Sequence, residues 1–309
     1  MAALVLPGYA LALTLAITAP LLAPGYLLLR DAVSTPRSYL SDAAIGLGES
    51  APRAVPQDFA IAVLSTVLDG GLIVKALLIA ALLMAGWGAG RLAGTVLPEA
   101  GVAGQLVAAT VAIWNPFVAE RLLQGHWSLL VGYGCLPWVA AAVLRLRAGD
   151  TGVAVWAGLV FWIGLAGLTP TGVILAAVVA LVCLAAPGPG VGRGRGIAAV
   201  LGTALIAAGP WLAASALGGA LSTPQGAGLA PFAARAEPFL GTLGSLAGLG
   251  GIWNAEALPP SRTSAFAVLG TVVLLGVVAL GAPAVLRRRS AEPLLVLAVV
   301  SILVPTALA

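Results

Sequence analysis

Charged residues are scarce in this sequence, so the places where they gather stand out. Arg30 and Asp31 are adjacent at the end of the first long apolar stretch. At a membrane surface such a pair has two readings. In one, Arg30 snorkels and Asp31 neutralises it. In the other, a partly desolvated carboxylate acts as general base toward a hydroxyl delivered from the water side. Asp58, in Pro56-Gln57-Asp58, is a second candidate base, or else the cap of a helix that starts near Phe59. The densest string runs Trp114-Asn115-Pro116-Phe117, then Glu120-Arg121, then Gly125-His126-Trp127. Asn-Pro ends a helix, and Trp at an interface is ordinary. However, a Glu, an Arg and the chain's single His fall within seven residues there. Arg and His suit a phosphate group, Arg through its planar fork. A solvated turn with a Glu120–Arg121 pair is the plain alternative. Tyr133 and Trp138, flanking Gly134 and Pro137, either line a site or pack.

These groups need a scaffold, and composition says which kind. The 309 residues are 61% apolar and 8% charged, with a mean hydropathy of +1.08. A soluble domain runs about 45–50% apolar and about 25% charged, so the bilayer is this chain's solvent. A cytosolic enzyme, a nucleic-acid-binding module and a disordered linker are excluded. Apolar runs bounded by charge, Pro or Gly predict an all-α, polytopic helical membrane protein with about nine transmembrane helices. They fall near 4–29, 71–91, 101–117, 127–145, 152–167, 171–186, 197–217, 264–285 and 291–309. Residues 1–217 form a main module with an outer loop at 30–70. Residues 218–309 add an outer loop at 218–263 and two last spans. Cys135 and Cys183 lie inside apolar runs with neither disulfide nor metal spacing. P-loop, GxSxG and HExxH motifs are lacking in the sequence.

Orientation follows from sorting charges by alternate loops. With the N-terminus cytoplasmic, the inner ends collect Arg91, Arg145, Arg147, Arg193, Arg195 and Arg287 to Arg289 against Glu99, Asp150 and Glu292. The outer side takes seven basic residues and eight acids. The short basic loops 187–196 and 286–290 both land inside, as the positive-inside rule requires. The two long loops land outside, which puts the working face there. Residues 59–68 suit a short amphipathic helix at the interface.

Several strings carry a resemblance. Pro24-Gly25-Tyr26 with Arg30-Asp31, the run Pro52 to Asp58, the Trp114 to Trp127 string, Gly132-Tyr133 and Leu136-Pro137-Trp138 resemble actinobacterial integral-membrane proteins. These are similar to polytopic GT-C type glycosyltransferases, including the arabinofuranosyltransferases and mannosyltransferases of mycobacterial envelope assembly. The resemblance covers about residues 20–140. It implies an inverting enzyme in the plasma membrane, with a polyprenyl-phosphate sugar as donor and a glycan or glycolipid as acceptor. Asp31 matches the family's outer-loop base. Arg30, Glu120, Arg121, His126 and Tyr133 are the expected substrate-binding residues, with Arg121 and His126 on the departing phosphate. No cofactor and no nucleic-acid partner are expected, and the resemblance leaves metal dependence open. Large arabinofuranosyltransferases carry soluble carbohydrate-binding regions that this chain lacks. An end at Ala309, inside an apolar run, is what a truncated or minimal member would show. A transporter or lipid-handling carrier would place charge in mid-span, and Lys75, near a span end, comes closest to that. A non-catalytic envelope scaffold is the third reading.

The topology is checked by labelling. Once both native cysteines are replaced, single cysteines at Ser50 or Ser222 react with an impermeant thiol reagent in intact cells. Labelling only after lysis would invert the assignment.

Overall fold

The computed structural model describes residues 2–48, 54–187, 192–217 and 232–308. Glu49, Ser50, Pro52, Arg53 and Ser222, and 188–191 of the basic loop, lie outside the described residues. The chain is 74% helical, and the only sheet among the described residues is a two-stranded hairpin. The helices are α1 (Ala2–Thr18), α2 (Gln57–Leu64), α3 (Gly70–Val96), α4 (Gly101–Ile113), α5 (Pro116–Gln124), α6 (Trp127–Arg147), α7 (Val153–Ala166), α8 (Pro170–Ala185), α9 (Arg193–Leu217), α10 (Gly241–Ala247), α11 (Phe266–Leu286) and α12 (Glu292–Leu308). Six stretches are long and apolar enough to cross a membrane: 4–22, 70–96, 98–124, 127–147, 193–217 and 266–286. The chain is therefore an all-α membrane protein.

Helix breakers explain where elements depart from the apolar runs. The first run was expected to reach residue 29, but α1 ends at Thr18 and a 3-10 turn carries the chain to Leu22. Pro20, Pro24 and Gly25 cannot continue an α-helix there. Within 98–124, Asn115 leaves helical geometry and its side-chain oxygen accepts from the Val118 N–H, so α4 stops and α5 restarts at Pro116. Residues 118–124, expected to lie in the turn between two spans, are therefore helical. Helices α7 and α8 have 14 and 16 residues. At 1.5 Å per residue they rise about 21 and 24 Å, short of a hydrocarbon core of about 30 Å.

Helix α6 is the shared wall of the bundle. On one side its buried Val139, Val143 and Leu146 pack with Leu159 and Ile163 of α7 and with Ala176 and Ala180 of α8. On the other side Leu130 and Val131 pack with Leu78 and Leu82 of α3 and Ile113 of α4. Trp138 donates to the Met84 carbonyl at 2.9 Å and stacks on Trp162 at 5.0 Å, so it serves the core.

Charged side chains are held at both ends of α3, beside Val96 and beside Gly70. Arg288 bonds Glu99 and the Val96 carbonyl, Arg145 bonds Asp150, and Arg147 binds the carbonyls of Leu184, Ala186 and Pro187. At the opposite end, Lys75 holds the carbonyls of Ala23 and Gly25, while Asp69 caps α3 and accepts from the Tyr26 hydroxyl at 2.7 Å. That hydroxyl bond comes first among the causes that hold Asp69 below the ordinary carboxylate range. Every ion pair among the described residues joins two groups sorted to the same end.

The hairpin β1 (Leu28–Leu29) and β2 (Ala32–Val33) is seated on the junction of α5 and α6 at Gly125. Gly125 ends α5 at φ +83, and a Cβ there would strike the backbone nitrogen of Ala32 and, at 2.7 Å, its Cβ. Gly149 has a similar φ of +92 with nothing within 4 Å, which makes it the control. Gly149→Ala costs only the left-handed backbone, about 1–2 kcal/mol. Gly125→Ala costs clearly more in thermal unfolding in detergent. Equal losses would mean that the hairpin does not rest on this turn.

Candidate functional site

Leu29 pairs with Ala32, so Arg30 and Asp31 are the two turn residues of the hairpin. Arg30 has φ 56, a left-handed conformation that a non-glycine residue adopts only when its surroundings hold it. Its guanidinium does hold it, donating to the carbonyls of Leu123 at 2.6 Å and Glu256 at 2.7 Å, with the Glu256 carboxylate 3.9 Å away. Arg30 thus clamps three segments together, a structural role beside the substrate contact expected of it. The clamp turns Asp31 outward. Its backbone N–H donates to the Gln124 carbonyl at 3.1 Å. Its Oδ2 receives His126 Nε2 at 2.8 Å and Gln124 Nε2 at 3.0 Å. The Asp31 side chain stays 54% exposed while that of His126 is 23% exposed.

Asp31 and Asp58 line one polar cleft of about 240 Å3 between the hairpin, the segment 34–44 and α2, with Ser34, Ser38 and Ser41 in its walls. Asp58 does not cap α2: Pro56 occupies the N-cap position and no side chain caps the helix. Burial raises the Asp58 carboxyl above its ordinary range, and a hydrogen bond from Gln57 only partly opposes that. The cleft therefore carries two carboxyls in unlike surroundings. Arg37 stands over the ring of Tyr39, 5.6 Å from its centroid, and Tyr39 lines the cleft, so an exposed cation lies at its rim.

The Glu120-Arg121…His126 string is legible as a cluster but does something other than expected. Glu120 and Arg121 stand on α5, His126 just beyond it, and none of the three lines the cleft. Glu120 is 1% exposed. Its carboxyl lies beside that of Glu237, both reaching the backbone at Gly250, and Glu237 pairs with Arg262 at 2.5 Å, both buried. Gly250 lets the three side chains close, because a Cβ there would come within 2.7 Å of Arg262 Nη2 and 2.9 Å of Glu120 Oε1. The Gly251 N–H donates to Glu237 at 2.8 Å. Arg121 lies 4.9 Å from the Phe117 ring centroid, with Nε and Nη1 buried and unpartnered among the described residues. The plain alternative, a solvated turn with a Glu120–Arg121 pair, does not hold, because Glu120 is buried on α5. His126 contacts Asp31 instead of standing across the cleft from it. Burial, and after it the Arg121 charge, lower its pKa against the pull of Asp31. A neutral imidazole follows at pH 7, donating through Nε2 and leaving Nδ1 unpartnered.

Tyr133 is also relocated. Its hydroxyl donates to the Ala112 carbonyl at 3.0 Å and its ring packs 5.4 Å from Phe117, which braces the α4–α5 break from inside the bundle. Glu237, Asn254 and Arg262 are the site residues that the sequence reading missed. Asn254 donates to Gln124 Oε1 at 2.7 Å, one bond away from Asp31. For Glu237 and Arg262 the one signal was charge, rare enough in this chain for every buried instance to need a partner; Asn254 carried none. Among the described residues no three His, Cys, Asp or Glu side chains converge as metal ligands. Comparison with protein-family models, curated proteins and solved structures finds no match to this chain.

The buried cluster can be tested by unbalancing it. Arg262→Met leaves the buried Glu237 carboxyl without its cation, and breaking a buried pair costs about 3–5 kcal/mol. Arg262→Met together with Glu237→Gln recovers most of that loss in thermal unfolding of the detergent-solubilised protein. A double variant as unstable as the single one would show that Arg262 does not compensate Glu237.

Proposed function

We propose that the protein is a GT-C type membrane glycosyltransferase with about nine spans, transferring a sugar from a polyprenyl-phosphate donor to an envelope glycan or lipid. The cleft end faces away from the cytoplasm and the Arg288–Glu99 end faces it. The observation that carries this reading is Asp31: a half-exposed carboxylate, fixed by donors on one oxygen, opening onto a polar cleft at the end of a membrane bundle. A base must be both held and reachable, and few carboxylates in so apolar a chain are both.

In the proposed reaction the acceptor hydroxyl lies in the cleft, hydrogen-bonded to Asp31. As its oxygen attacks the anomeric carbon, the proton passes to the carboxylate. The bond from that carbon to the donor phosphate breaks on the opposite face, and the configuration inverts. The polyprenyl phosphate leaves with the electron pair. His126 orients Asp31, and Arg121 sits behind it. Arg37 at the cleft rim is the cation placed to meet the phosphate. Asp58, lifted by burial, is suited to hydrogen-bond a sugar hydroxyl.

The test is sugar transfer in nanodiscs with a polyprenyl-phosphate sugar. General bases contribute about 100- to 10,000-fold, so Asp31→Asn loses that much while melting near wild type. Arg37→Ala weakens donor binding, and Asp58→Asn has a smaller effect on transfer. Wild-type rates for Asp31→Asn would remove it from the mechanism, and a larger loss for Asp58→Asn would move the role there.

A further inference from the structure

The geometry points to Asn254 as a positioning residue for Asp31, acting through the side-chain amide of Gln124. The inference rests on reading Asp31 as the base. Its argument is one of polarity. The Glu256 N–H donates to Asn254 Oδ1 at 3.0 Å. That bond fixes which end of the Asn254 amide is turned inward, because only Nδ2 is left to face α5. Nδ2 donates to Gln124 Oε1 at 2.7 Å. With its oxygen taken, the Gln124 amide has only Nε2 to offer to Asp31, and it donates to Oδ2 at 3.0 Å. A backbone N–H 225 residues away in sequence thus determines that a donor, and not an acceptor, meets the carboxylate.

The alternative amide orientation would turn Gln124 Oε1 toward Asp31 Oδ2, two acceptors face to face. Buried amides settle such choices by their neighbours, and Gln124 is buried on α5. The consequence falls on the carboxylate. His126 and Gln124 both donate to Oδ2, and among the described residues no donor is placed on Oδ1. Oδ1 is thereby the oxygen free to receive a proton. The charged groups around Asp31 are Arg30 and Glu256 on the clamp, His126 and Arg121 behind it, and Asp58 across the cleft. None of them replaces a donor taken from Oδ2. Asn254 stands on the second outer segment, so the seating of that segment sets which oxygen of Asp31 is left open on the first.

The readout is the protonation of Asp31 itself, followed by its carboxyl infrared band in the full chain in nanodiscs and identified by subtraction of Asp31→Asn. Hydrogen bonds to a carboxylate favour its charged form, so losing one raises the midpoint. Gln124→Leu raises it by about one pH unit, the weight of one charge-assisted bond. Asn254→Ser is neutral and still able to cap Glu256, but too short to reach Gln124, and it raises the midpoint by a smaller amount. The double variant shifts no further than Gln124→Leu alone, because the two act in series. Asn254→Leu serves should the serine variant fail to fold. The acid limb of the transfer-rate profile moves by the same amounts. An Asn254→Ser midpoint equal to wild type, or additive shifts in the double variant, would overturn the inference. If these shifts occur but wild-type protein transfers no sugar, the relay stands and the glycosyltransferase reading falls. Transfer that depends on Asp31 with unmoved midpoints sinks the relay alone.

Discussion

Arg262 faces two buried carboxyls, Glu120 on α5 and Glu237 on the segment 235–262. In a chain that dissolves in lipid, an unmatched charge at such a place costs several kcal/mol, so neither carboxyl can be buried unless segment 235–262 is folded against α5. That requirement joins two parts of the chain more than a hundred residues apart. The same contact delivers Asn254 to Gln124 and Glu256 to Arg30. The Asp31 environment is thus a by-product of satisfying a buried charge, and the groups that hold the site are largely those that hold the fold.

Helix α5 transmits this constraint. It exists because Asn115 and Pro116 end α4 and restart the chain in a new direction, with Asn115 as cap. Over its nine residues it presents Glu120 to one neighbour and, at its C-terminal end, Gln124, Gly125 and His126 to the hairpin. A break in a spanning stretch would leave backbone groups unsatisfied in lipid. Here the Tyr133 hydroxyl and the Asn115 amide take the freed carbonyls of Ala112 and Val111. Tyr133, which the sequence suggests as a substrate contact, supports the site by repairing the backbone beneath it.

What the sequence made legible follows from how local each signal is. The membrane class, the short helix after Pro56 and the Asn-Pro break depend on residues close together or on composition. Asp31 was visible because it stands beside Arg30 at the edge of an apolar run. What Arg30 does was not visible, since its acceptors are the carbonyls of Leu123 and Glu256. The same holds for Glu120: its density with Arg121 and His126 was plain, but its partners come from 237 and 262. Gln124 and Asn254 carry no charge and belong to no motif, so only their contact gives them meaning. The first span was read too long because apolar character continues past Thr18 while Pro and Gly end the helix.

The short hairpin of α7 and α8 bears on the lipid around the protein. Val153, Val160 and Phe161 of α7 are exposed to the surroundings, and the helix rises only about 21 Å. Lipid beside it must thin, or the residues flanking the helix must snorkel, to match, and mismatch of this kind is relieved at fractions of a kcal/mol per Å. The bundle therefore carries a lopsided collar of lipid, compressed along α7 and relaxed along the 27-residue α3. Such a protein has a preferred membrane thickness and a preferred side on which thin, disordered bilayer gathers.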